Sequence, residues 1–130
     1  MNVADYMNPT LVYLRAGDRP GVAQAPMAEF GLTAVPVLDT DHRPTGLVTL
    51  GRPERLVTIE RTATLAVAAQ QMLESNVHHL VVVDAQGTAL GMLSSLDIIR
   101  GLVGVPAKHP DSIRRFIAVT DIAQKRETAP

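Results

Sequence analysis

Two polar side chains at the end of an apolar run are the residues best placed for chemistry. Ser94 and Asp97 stand three apart, after Gly91-Met-Leu and before Ile98-Ile-Arg100. A hydroxyl that can donate and a carboxylate that only accepts suit a phosphate and a sugar. The start of a helix, with its free backbone amides, favours an anion. The same spacing is also a capping box, in which the acid complements the helix dipole. The two roles are compatible, because Asp97 can cap when no ligand is bound. Upstream, His78 and His79 precede the apolar residues 80–83. Adjacent side chains in an extended chain point to opposite faces. One of the two therefore belongs to packing or surface, and at least one is a candidate phosphate contact. As a metal pair they fail, since His42 and His109 are isolated and no second ligand cluster has suitable spacing. Arg100 reads as a solvated helix residue. No Gly-x-Ser-x-Gly, His-Glu-x-x-His or glycine-rich phosphate loop occurs. The expectation is a protein that is not an enzyme and carries no cofactor or metal.

Positioning these residues requires a strand, a turn, a second strand and a helix over residues 80–100. The rest of the chain reads as a scaffold for that segment. A helical turn over 2–7 leads to a strand at 10–14. Residues 18–30 have apolar positions at helical spacing, with Pro26 expected to kink the helix from inside. Strands are predicted at 34–38 and 45–50, and again at 56–59. Thr62 is the predicted N-cap of a helix over 63–75, with Leu65, Ala68, Ala69, Met72 and Leu73 on one face. Gly101 and Gly104 mark the end of the last complete helix. Residues 105–110 form a proline-flanked linker. The spacing of Ile113, Phe116 and Ile117 predicts a helix over 111–125, although 116–122 also alternates as a strand.

Composition narrows the function further. The chain has 130 residues, enough for one domain or two small repeats sharing a core. It has only 3 % aromatic residues, which argues against a base-stacking platform. The net charge of −1 and dispersed Lys and Arg leave no footprint for nucleic acid. Cysteine is absent, so there are no disulfides or thiolate metal sites. No apolar run approaches the roughly 18 residues that span a bilayer, and residues 1–14 lack a signal-peptide pattern. A soluble cytoplasmic protein with no nucleic-acid or membrane partner is expected.

An internal repeat organises the chain. A shift of 45 residues superimposes nine identities, from Leu11/Leu56 and Val12/Val57 to Asp39/Asp84 and Gly46/Gly91. Each unit reads as strand, helix, strand, turn, strand.

On these residues the chain resembles a tandem cystathionine-β-synthase (CBS) domain pair, or Bateman module. The carriers are Asp5-Tyr-Met7-Asn-Pro, Ala34-Val-Pro-Val-Leu-Asp39 with Gly46-Leu-Val-Thr49, and His79-Leu-Val-Val-Val-Asp84 with Gly91-Met-Leu-Ser94-Ser-Leu-Asp97. The resemblance covers about residues 1–104. It implies an α/β (α+β) fold of two β-α-β-β-α repeats in pseudo-twofold arrangement, packed sheet to sheet. The boundaries implied are 1–55 for repeat one, 56–104 for repeat two, and 105–130 for a linker and C-terminal helix or tail. It also implies clefts that bind adenosine-containing ligands such as AMP, ADP, ATP or S-adenosylmethionine. By that resemblance Asp97 accepts from the ribose hydroxyls and Ser94 donates to a phosphate. By the same resemblance Val77, His78, His79 and Leu80 line the adenine and phosphate, His78-His79 standing where the γ subunit of AMP-activated protein kinase has a His-Arg pair that touches phosphate. Thr58 sits where the family often contacts its ligand.

Two departures stand out. Arg52 replaces the acid in repeat one, and a guanidinium cannot accept from ribose. Thr33-Ala34 replace His78-His79. One competent site, built on repeat two, is therefore expected. Repeat one also lacks its last helix, because only residues 50–56 separate Thr49 from Val57. The expectation is that residues 113–122, or the same element of a partner chain, cover the exposed sheet. The function implied is a regulatory ligand sensor that forms a homodimer and acts on a regulated protein. The alternative is a dimerising interaction scaffold that binds no ligand.

Overall fold

In the computed structural model, which describes residues 1–109 and 115–122, the chain folds as two α/β units packed sheet against sheet. A short helix, α1 (Val3–Tyr6), leads into the first unit. That unit holds β1 (Thr10–Arg15), a 3-10 turn (Pro20–Ala23), α2 (Gln24–Phe30), β2 (Ala34–Leu38) and β3 (Pro44–Thr49). The second holds β4 (Thr58–Glu60), α3 (Leu65–Ser75), β5 (His79–Val83), β6 (Ala89–Ser94) and α4 (Ser95–Leu102). A last strand, β7 (Arg115–Ala118), returns to the first unit. In both units the first strand is parallel to the second, and the second is antiparallel to the third. Val37 faces Gly46 in one hairpin as Val82 faces Gly91 in the other.

The repeated aspartates have a structural cause. Asp39 Oδ1 accepts from the amides of Asp41 at 2.8 Å and Arg43 at 2.9 Å. Asp84 Oδ1 accepts from those of Gln86 at 2.9 Å and Thr88 at 3.0 Å. Each carboxylate closes its hairpin turn by mimicking a backbone acceptor.

Strand periodicity divides the core. Leu11 and Tyr13 of β1 point toward Val81 and Val83 of β5 and Ala89 of β6, filling the space between the sheets. Val12 and Leu14 point the other way, onto Ala23 and Met27 of the first unit. Leu80 and Val82 of β5 point onto Leu65, Ala68 and Met72 of α3 and Ile98 of α4. Both strands are thus buried on both faces, which explains their unbroken apolar runs.

Several local expectations are corrected. Pro26 does not kink a helix, because the 3-10 turn ends at Ala23 and Pro26 falls in the first turn of α2. An amide there needs no intrahelical partner. The cap of α3 is Thr64, whose hydroxyl accepts from Val67 N at 3.2 Å, rather than Thr62. Leu73 is 83 % exposed, since the buried stripe runs through Leu65, Ala68 and Met72. As expected, α4 ends between Gly101 and Gly104, its last residue being Leu102. A Cβ on Gly101 would collide with Leu65 of α3, so the glycine permits close helix packing.

The C-terminal expectation of a helix is also corrected. Residues 115–118 form β7, parallel to β1, with Leu11 opposite Phe116 and Val12 opposite Ile117. A helical turn follows at 119–122. The rest of the expected helix, at 111–114 and 123–125, lies outside the described residues. Alternation wins over helical spacing here because β1 offers an unpaired edge. The expected covering role is nevertheless filled by the same chain. Val119 is fully buried with Val12, Leu14, Ala23, Met27 and Val35, and Ile117 and Ile122 pack beside it. Arg15 Nη1 donates to Thr120 Oγ1 at 2.8 Å across the same junction.

The short connection between the units is fixed by one carboxylate. Glu54 Oε1 accepts from the amides of His78 at 2.7 Å and His79 at 3.2 Å, and Oε2 accepts from His79 Nδ1 at 2.9 Å. Burial pushes the Glu54 carboxyl up, but the bonds from His78 N and from the ring and amide of His79 outweigh it. The net result lies below the usual carboxylate range.

Two outcomes follow from this packing. Val119→Asp buries an unpaired carboxylate and should lower the free energy of unfolding by roughly 2–5 kcal/mol. An unchanged denaturant midpoint would show that the C-terminal segment does not seal the first unit. Glu54 contributes stability above the ordinary carboxylate pKa, and this is lost as pH falls through its lower folded value, because the unfolded chain takes the proton first. Glu54→Gln should therefore lower stability at pH 7 and flatten the acid limb of the stability profile. Identical acid limbs for both proteins in pH-dependent chemical denaturation would contradict it.

Candidate functional site

The Ser94–Asp97 pair sits where β6 runs directly into α4. Ser94 ends the strand and is also the N-cap of the helix. Asp97 Oδ2 accepts from Ser94 N at 2.9 Å and Ser94 Oγ at 3.0 Å, and Asp97 N donates to Ser94 Oγ at 3.3 Å. Its other oxygen, Oδ1, accepts from Arg100 Nη1 at 3.2 Å. Asp97 is 6 % exposed, a charged residue with almost no access to solvent. The capping box is therefore formed, and Arg100 is a partner of Asp97 rather than a free solvated residue.

The cleft in front of Asp97 is not built from repeat two alone. Its opposite wall is Gly31, Leu32, Thr33 and Ala34 of repeat one, with Asn8 and Met92 beside them. Its volume is about 130 Å³. Asn8 is held there by two backbone bonds to Met92, 2.8 Å from Asn8 N to Met92 O and 3.0 Å in return. That crossing explains Gly91. A Cβ on Gly91 would lie 2.6 Å from Asn8 O and 2.8 Å from Met7 Sδ, whereas Gly46 has only ordinary contact with Val37. Lys108 and His109, just past α4, reach the same cleft.

A second cleft of about 380 Å³ lies on the repeat-one side. It holds Thr49, Arg52, Glu54 and His78, and it shares Thr33, His79, Ser94 and Leu96 with the first. Thr33 Oγ1 and His79 Nε2 are 2.7 Å apart, so this polar contact lies where the two clefts meet. Arg52 lines this second cleft, and Thr49 Oγ1 donates to the Arg52 carbonyl at 2.9 Å. Glu54 already occupies the amides of His78 and His79.

Of the residues singled out in the sequence, Ser94, Asp97 and His79 come together at the first cleft. His78 faces the second cleft. The side chains of Val77 and Leu80 are buried in the core of repeat two. Thr58 is exposed on β4 and lines neither cleft. The residues that sequence reasoning missed are Asn8, the 31–34 wall, Arg100, Lys108 and His109. The repeat held part of the signal, because Thr33-Ala34 align with His78-His79. Among the described residues no group of His, Cys, Asp or Glu could hold a metal ion. No described helix is long and apolar enough to cross a membrane.

Comparison with known proteins places this geometry. The CBS domain model matches residues 3–52 and again 54–104. The CBS domain pair of protein MJ0100, in complex with 5′-methylthioadenosine and S-adenosyl-L-methionine, has a TM-score of 0.72 at 18% identity, covering 80% of this chain and 97% of that one. CBSX2 in complex with AMP, a CBS-pair protein of Arabidopsis thaliana, has a TM-score of 0.67 at 24% identity over 79% of this chain and 96% of that one. The CBS domains of a transcriptional regulator from Streptococcus pneumoniae give 0.65 at 18% over 77% of this chain and 98% of that one. The chain spans 60% of the length of another match, protein MJ1004. No curated protein sequence matches. Two matched CBS domains, two units of the same topology and the similarity to solved CBS pairs make this chain a member of the CBS domain family, in the form of a tandem pair or Bateman module.

Proposed function

We propose that the chain is a regulatory module that binds an adenosine-containing ligand in the cleft of Asp97. The observation that carries this reading is a nearly buried carboxylate at the N-terminus of α4, facing a cleft walled by both repeats. A ribose supplies two hydroxyl donors, and Asp97 is a carboxylate that only accepts. Asp97 Oδ1 can exchange Arg100 for ribose while Oδ2 keeps the cap. Ser94 and His79 stand at the same wall, where a phosphate needs donors. The adenosyl ligands of the MJ0100 and CBSX2 domain pairs support the same ligand class. On this reading the protein is not an enzyme. It acts in the cytoplasm, as a homodimer, on a regulated partner.

The second reading is a scaffold without ligand. It is favoured by the exposed apolar side chains Leu73, Ile99, Leu102 and Val103 on and just past α3 and α4, and by the small volume of the Asp97 cleft, about 130 Å³. A face of this kind suits association.

A ligand of the folded state must raise the melting temperature. AMP, ATP or S-adenosylmethionine at saturation should therefore do so, and no shift with any of them would favour the scaffold. Asp97→Ala should weaken the bound adenosyl ligand by at least about tenfold, since bonds to a charged group contribute roughly 1.5–3 kcal/mol each. Asp97→Asn, which retains a capping oxygen, controls for loss of the helix cap. Calorimetry with unchanged affinity in both variants would remove Asp97 from the site.

A further inference from the structure

The wall of the Asp97 cleft formed by residues beyond the last family-matched position has a charge that the matched part does not supply. The CBS match ends at residue 104. Immediately after it, the chain turns back over the cleft. Gly104 adopts φ +76°, Val105 N donates to Arg100 O at 2.9 Å, and Tyr6 Oη donates to Val105 O at 3.3 Å. Pro106 stiffens the next step. These anchors, on α1 and α4, leave Lys108 and His109 lining the cleft with Asp97 and Arg100.

Asp97 is the sole carboxylate among the lining residues, and it is already bound to Arg100. The ammonium of Lys108 is therefore surplus positive charge. The His109 imidazole is held below its usual range. Burial is the main cause; Asp97 opposes it, while Lys108 and Arg100 add to it. The other titratable group on the cleft is His79 on β5, which is tied to Glu54 and Thr33. Among the described lining residues the cleft thus has one acid suited to a sugar and, on the outer wall, two cationic or proton-accepting groups.

We infer that Lys108 and His109 form an anion-selecting wall that makes the site prefer phosphorylated adenosine ligands to uncharged ones. This rests on the adenosine-binding reading of the Asp97 cleft. A phosphate entering there meets the ammonium of Lys108 and reverses the unfavourable surroundings of a protonated His109. Binding then takes up a proton at His109, so affinity for a nucleotide rises as pH falls from 8 to 6.

The test is calorimetry on the full chain with adenosine, AMP and ATP, for the natural protein and for a Lys108→Met, His109→Gln double variant. Both positions lie on a surface segment after α4, outside the core clusters. The natural protein should bind AMP and ATP at least about tenfold more tightly than adenosine. The double variant should lose that preference while keeping its affinity for adenosine. His109→Gln alone should flatten the rise in ATP affinity between pH 8 and 6. Adenosine binding with an unchanged nucleotide preference in the double variant would overturn the wall and leave the adenosine site standing. Absence of binding by adenosine and by both nucleotides would overturn the site and the wall together.

Discussion

The contact between the two sheets is the constraint on which the site depends. Leu11 and Tyr13 of β1 meet Val81 and Val83 of β5 and Ala89 of β6 with essentially no exposure. This packing fixes how one repeat faces the other. It brings the 31–34 turn of repeat one opposite the β6–α4 junction of repeat two, and so forms a cleft that neither unit has alone. The hairpin ends are tied as well. His42 O accepts from Ala89 N at 2.9 Å, and Arg43 Nε donates to Gln86 O at 3.0 Å. His42 also stacks on Phe116 at 4.3 Å, which couples the returning C-terminal strand to the same junction.

The repeats have diverged in physically coupled ways. Repeat one has no helix after β3, and β7 with Val119 packs on the first unit. The shortened connection brought Glu54 within reach of the amides at the start of β5. With Arg52 where an acid would stand, the repeat-one cleft holds a carboxylate of its own on those amides and offers none from the helix position. Repeat two kept its acid. There Gly91 lets the N-terminal segment cross tightly over β6, which places Asn8 at the cleft.

Much of the fold was legible because strands buried on both faces leave long apolar runs, and because the repeat fixed their order. The residues that escaped did so for identifiable reasons. Leu73 lies one position past a narrow buried stripe, and Thr62 and Thr64 offer equally good caps two residues apart. The segment at 115–118 carries both periodicities, and its pairing with Thr10–Arg15 is a contact across most of the chain. Asp97 and Ser94 were legible as a pair, since the capping box they form needs that spacing. Lys108 and His109 were not, because their position comes from the turn at Gly104 and the anchor on Tyr6. The side chains of Val77 and Leu80 belong to the core of repeat two, so only their backbone is left to face a cleft.

The proposed adenosyl site is a single one, shared by both repeats and centred on Asp97. Backbone amide NMR during titration with AMP tests it most directly. Binding at that site predicts coherent, saturable shifts at Ser94 and Asp97 together with Thr33 and Ala34 across the cleft, and smaller changes at Thr49 and Arg52. Shifts centred on Arg52 and His78, or none at any of these amides, would contradict it.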